Sequence, residues 1–164
     1  MSAAVLLYTQ GILILQPTAT AQQKTRGTNV HFTLNLVGTI SLIAGLIVIE
    51  MNKASHPETR FQHPHGVLGL ITFILIITQA LVGFAQYYLP NLVFGTVDNA
   101  KRIYKFHRMS GYLILLMMLI TVADATDTAF NKNVLHMQLW PVIVAAILIL
   151  AGVIPRIKRR KLGL

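Results

Sequence analysis

Residues 65–84 read HGVLGLITFILIITQALVGF, and this stretch decides what kind of chain it is. It contains no Asp, Glu, Lys or Arg, and the charge-free run around it extends from Phe61 to Val97. About 20 apolar residues in a helix, rising 1.5 Å each, cross a bilayer core of roughly 30 Å. The same helix buried in a water-soluble domain needs polar cover from the rest of the chain. Of 164 residues, 54% are hydrophobic and only 12% charged, against about 25% charged in a typical soluble domain. Mean hydropathy is +0.62. A soluble single core and a disordered chain are both excluded.

Working outward, further charge-free runs span Met1–Gln23, Thr28–Ile49 and Asn133–Pro155. A shorter one, Met109–Ala123, reaches membrane length if Lys105 and Arg108 snorkel from its start. The pattern predicts an all-α membrane protein. Five helices are expected near residues 1–19, 28–50, 65–88, 104–124 and 135–155, forming one domain over 1–164. There are no internal repeats. A cleavable leader ending at Ala19-Thr20-Ala21 is the alternative for the first segment, but no positive residue precedes its apolar run.

Charge sets the orientation. The chain has 14 Lys+Arg against 5 Asp+Glu, a net +9, which in a soluble protein suggests nucleic acid. Their placement argues otherwise. Side A of the expected bundle holds residues 20–27, 89–108 and the tail after 155. It carries Lys24, Arg26, Lys101, Arg102, Lys105, Arg108 and the cluster Arg156, Lys158, Arg159, Arg160 and Lys161. Side B carries only Lys53, Arg60 and Lys132. Eleven against three is a strong positive-inside bias, so side A, with the C-terminus, is expected in the cytoplasm. The basic residues then face a lipid bilayer and no nucleic acid, and the tail anchors the last helix against anionic lipid.

Cysteine is absent, which excludes disulfides, thiolate metal sites and covalent haem attachment. The histidines carry the remaining chemistry. His31 opens the second helix and His107 the fourth, both from side A. His65 opens the third and His136 the fifth, both from side B. Each pair can reach a common depth. Two facing imidazoles are what a six-coordinate b-type haem requires, whereas zinc takes three or four ligands. Small residues leave room for a flat group. His31, Asn35, Gly38, Leu42 and Gly45 form one stripe, Gly66, Gly69 and Thr72 follow His65, and Gly111 lies one turn after His107. Asn35 and Gln79 are candidate polar contacts.

Three motifs carry a family resemblance: N-V-H-F-T-L-N at 29–35, H-G-V-L-G-L-I-T-F-I-L at 65–75 with Q-A-L-V-G-F at 79–84, and K-F-H-R-M-S-G-Y at 105–112. Together they resemble the eukaryotic cytochrome b561 family of transmembrane electron carriers. The resemblance implies two haems b in a four-helix core, one near each membrane face, with His31 and His107 on the cytoplasmic haem and His65 on the other. The family's fourth ligand lies in an H-P motif at the start of the helix before His31, where this sequence has no histidine. Either the natural chain extends beyond Met1, or another residue takes that place, or the chain holds one haem. His136 is the best substitute within the chain and His63 the next.

The resemblance further implies a small-molecule donor such as ascorbate at Lys24, Arg26, Lys101, Arg102, Lys105 and Arg108, which could equally bind haem propionates. The acceptor across the membrane would be monodehydroascorbate or ferric iron, with His56, His63, Lys53 and Arg60 as its candidate site. A homodimer is implied too. Two other readings stand beside this one: a haem-binding anchor subunit of a larger quinone-linked complex, and a cofactor-free membrane scaffold.

Overall fold

The computed structural model describes residues 2–54 and 63–162. The chain runs through α1 (Ser2–Leu15), α2 (Ala21–Ala54), α3 (Pro64–Tyr88), α4 (Pro90–Phe94), α5 (Val97–Ala125), α6 (Ala129–Asn133) and α7 (Leu139–Val153). Two 3₁₀ turns, Ile154–Arg156 and Arg159–Lys161, follow. No strand occurs among the described residues. Four helices are long and apolar enough to cross a membrane: Ala21–Ala54, Pro64–Tyr88, Val97–Ala125 and Leu139–Arg156. The apolar helix α1 is shorter. The expected all-α membrane bundle is therefore present, with its boundaries moved by local chemistry.

The first helix stops at Leu15, earlier than expected, because Pro17 disfavours helical backbone at Gln16. The second begins at Ala21 instead of 28. Thr20 and Gln23 form a reciprocal capping box: Gln23 donates its backbone N–H to Thr20 Oγ1, and Thr20 donates its own to Gln23 Oε1, both at 3.2 Å. At 34 residues, α2 is about 51 Å long, so its first turns, with Lys24 and Arg26, extend past a bilayer core. Similarly, α5 starts seven residues before the expected 104, because Thr96 caps it by accepting the Asn99 backbone N–H at 3.1 Å. Between α4 and α5 the chain turns at Gly95, whose φ of 75° suits glycine. Beyond α5, Lys132 bonds the exposed Asp127 carboxylate at 2.5 Å and holds its pKa below the usual range.

Helices α1 and α2 pack as one antiparallel pair and α3 and α5 as another, while contact between the pairs is sparse. Close approach within the first pair depends on Gly38, where a Cβ would lie 3.1 Å from the Tyr8 ring. On one half of the bundle the pairs are sealed by an apolar core of Ala4, Val5, Ile76, Ile114, Met118 and Leu119, backed by Ala146, Ile149 and Leu150 of α7. On the other half they part around a cavity. The outer faces expose Ile40, Ile47, Leu81, Leu113 and Leu148. Such continuous apolar surface belongs in lipid.

Candidate functional site

The cavity between the pairs has a volume of about 450 Å³ and is walled by α1, α2, α3 and α5. Cofactor sites commonly occupy roughly 300–1,000 Å³. His31 of α2 and His107 of α5 both line it, with Asn35, Gln79, Gly83 and Gly111. The expected side-A histidines thus share one space. His65 and His136 do not line it.

Each imidazole is placed by the helix beside it. His31 donates its Nδ1–H to the carbonyl of Gly11, 3.0 Å away on α1. That fixes the tautomer and leaves the lone pair on Nε2, which accepts from the Asn35 amide at 2.9 Å. Gly11 is required here, because a Cβ would come within 2.9 Å of Asn35 Oδ1 and 3.3 Å of His31 Nδ1. His107 is set differently. Gln79 of α3 donates to its backbone carbonyl and accepts from Ser110 at 2.8 Å. Its ring rests on Gly83, where a Cβ would be 2.8 Å from Cε1. His65 repeats the pattern of His31, donating Nδ1–H to the Thr121 carbonyl of α5 at 3.0 Å.

The other sequence-derived candidates divide. Lys24 and Arg108 line the cavity, while Lys101, Arg102, Lys105 and Arg108 line an adjacent cleft with Arg160. Arg26 is exposed and lines neither. Gly38 and Gly69, expected against a cofactor, are not among the residues that line this cavity. Gly38 meets Tyr8, and a Cβ at Gly69 would touch only Thr121, at 3.8 Å. Gly45 faces open space. His136, expected to pair with His65, is exposed in the loop before α7, with a φ of 49°, and α7 packs on α1 and α5. His63 is the exposed N-cap of α3, and Lys53 lies in the last turn of α2. His56 and Arg60 fall outside the described residues.

A family model for eukaryotic cytochrome b561 matches residues 1–131. The chain belongs to that family. No curated protein and no solved structure matches it. As a cytochrome b561 it is an integral membrane protein of transmembrane, haem-based electron transfer, and the family binds haem b.

The cavity residues fit such a group. Four buried polar atoms of residues on its walls have no hydrogen-bond partner: Gln16 Oε1, Asn35 Oδ1, Gln86 Nε2 and His107 Nδ1. Unpaired buried polar atoms are rare and costly, and four on residues lining one space suit polar cargo. The anchored Nδ1 of His31 is the arrangement that orients metal-ligating histidines. Among the described residues no cluster of three or more His, Cys, Asp or Glu could hold a bare metal ion.

Some of these residues have no signature in the sequence. The acceptors for His31 and His65 are backbone carbonyls of Gly11 and Thr121, which any residue possesses. Gly83 was visible in the Q-A-L-V-G-F motif, but only the packing shows that it faces His107.

Proposed function

We propose that the chain carries single electrons across the membrane through haem b held by His31 and His107, receiving them from a cytoplasmic reductant such as ascorbate. One observation carries the reading: two imidazoles from different helix pairs face one cavity of cofactor size. Bound haem supplies a one-electron iron couple whose potential follows axial ligation, burial and hydrogen bonding. The chain's own contribution is to fix the tautomer of His31, seat His107 on Gly83, and enclose the site in an apolar wall that excludes water.

Sidedness rests on the eleven positive residues of side A against three on side B. In this orientation Lys101, Arg102, Lys105 and Arg108 form a cationic cleft beside the cavity, suited to an anionic donor. His65, anchored by Thr121, is proposed as one ligand of a second haem nearer side B, from which the acceptor, monodehydroascorbate or ferric iron, is reduced.

The test is haem-to-protein stoichiometry on the detergent-purified chain, with dithionite-reduced spectra and ascorbate as reductant. A ratio of two with reduction by ascorbate supports the whole reading. A ratio of one keeps the His31–His107 site and removes the cross-membrane relay. A colourless protein overturns the proposal and leaves a membrane scaffold.

A further inference from the structure

Gln79, Gly83 and Gln86 lie at i, i+4 and i+7 on one face of α3, and all three line the cavity. The first two already have a part in placing His107: Gln79 bonds its backbone carbonyl, and its ring rests on Gly83. Gln86 continues the line by one turn, about 4.5 Å beyond Gly83 toward side A. The residue is only 2% exposed. Its amide nitrogen, Nε2, is nevertheless buried with no hydrogen-bond partner.

An amide N–H taken from water and left unpaired is costly, and a leucine at the same position would avoid that cost. Helix packing does not account for the amide, because no helix brings an acceptor to its nitrogen. The acceptor then has to come with whatever occupies the cavity. The family binds haem b, and that group offers few acceptors. Its pyrrole nitrogens are committed to iron, and its methyl and vinyl groups are apolar. Only its two carboxylates accept strongly. As charged groups they are costly to hold deep in a membrane and belong toward one face of it. Gln86 lies beyond His107 in that direction.

We propose that Gln86 is a cofactor-binding residue, donating its amide N–H to a carboxylate of haem b and so turning the carboxylate edge of the haem toward side A. The inference rests on the haem reading above and adds to it a contact and an orientation. The donor is neutral, so the contact needs no surplus of positive charge around the cavity. Hydrogen bonds to an ionised acceptor are stronger than those between neutral groups.

The experiment uses the full chain in uncharged detergent, loaded either with haem b or with its dimethyl ester, whose carboxyl groups carry no charge. Release to a soluble haem-free globin is followed for the unaltered chain and for Gln86→Leu. Gln86→Leu should release haem b about tenfold faster than the unaltered chain, and release the ester at nearly the unaltered rate. The two substitutions, one in the chain and one in the cofactor, thus form a cycle that isolates the contact. Gln86→Met, which keeps the length of the side chain without its N–H groups, carries the same comparison should Gln86→Leu fail to fold. Infrared difference spectra with carbon-13 in the haem carboxylates give a second readout. The labelled carboxylate band of the unaltered chain should shift in either variant.

Equal acceleration of haem b and ester release would mean that Gln86 only packs α3, and overturns the inference while leaving the haem site intact. Unchanged release of haem b, or an unshifted carboxylate band, overturns it too. An unaltered chain that takes up no haem overturns both this inference and the function proposed above.

Discussion

The Nδ1 of His31 lies 3.0 Å from the carbonyl oxygen of Gly11, joining a side chain of α2 to the backbone of α1. Because a carbonyl only accepts, this contact commits the imidazole to one tautomer and puts its lone pair on Nε2, where the Asn35 amide donates to it. It also makes the helix spacing part of the site, since a larger residue at position 11 would meet Asn35 and His31 at once. Gly11→Val should displace the ring, destabilise the α1–α2 pair by about 1–3 kcal/mol, and lower haem affinity by about 10–100-fold. Haem content after purification and the low-spin electron paramagnetic signal are the measurements. Full occupancy with an unshifted signal would show that the contact does not orient a ligand.

His31→Ala and His107→Ala should abolish the same haem signal, because both side chains face one cavity. His65→Ala should leave that signal in place and remove only a second one. Reduced-minus-oxidised spectra of the three variants decide the matter. Different losses from His31→Ala and His107→Ala would break the pairing.

Gln79 offers a subtler case. Its amide bonds the His107 carbonyl and its oxygen accepts from Ser110, so it ties α3 to the turn of α5 that bears the imidazole. Ser110 keeps bonds to the Phe106 and His107 carbonyls without it. Gln79→Leu should therefore cost only about 1 kcal/mol in stability while loosening His107. The expected outcome is a nearly unchanged thermal midpoint with a shifted spectrum and faster haem loss. Equal falls in both would mark Gln79 as helix glue alone.

The contrast between these residues explains how much of the molecule could be read in advance. Helix order and the shared space of His31 and His107 follow from runs of apolar residues and from the ends at which histidines enter, both carried by side-chain identity. Helix limits did not follow where capping intervened: Thr20 with Gln23, and Thr96 with Asn99, extend α2 and α5 beyond their apolar runs. The place of His136 does not follow from its side of entry, because entering from the same side is not adjacency; α7 packs on α1 and α5 and leaves His136 exposed. Arg156 and Lys158 line the cavity as well, a placement that nothing local reveals, since Gln16 holds the end of α7 there. Long-range contacts through backbone atoms leave no pattern to find.

Buried hydroxyls test the other half of the bundle. Thr72 and Thr121 bond across the α3–α5 interface at 3.2 Å, and Thr121 also donates to the Met117 carbonyl. Thr72→Val removes the interhelical bond while Thr121 keeps its intrahelical partner. The expected loss is about 0.6 kcal/mol, the typical worth of such bonds between membrane helices, visible as a small fall in the detergent thermal midpoint. Thr121→Val should cost more, about 1–3 kcal/mol, because it leaves the buried Thr72 hydroxyl unpaired, but because the Thr121 backbone carbonyl is retained it should leave the His65 anchor intact. A spectral change in Thr121→Val would mean that the hydroxyl reaches the haem environment itself.

Sidedness can be measured directly, because the chain has no cysteine to interfere. Single substitutions Arg26→Cys and Arg159→Cys place thiols on side A, and Lys132→Cys places one on side B; all three positions are exposed. In sealed cells, an impermeant maleimide added outside should label Lys132→Cys alone, and the other two only after permeabilisation. Removing one cation from side A leaves ten against three, a bias still strong enough to hold the orientation. Labelling of Arg26→Cys from outside would invert the bundle and place the cationic cleft, with the His31–His107 cavity, at the external face. The proposed direction of electron flow would then have to be reversed.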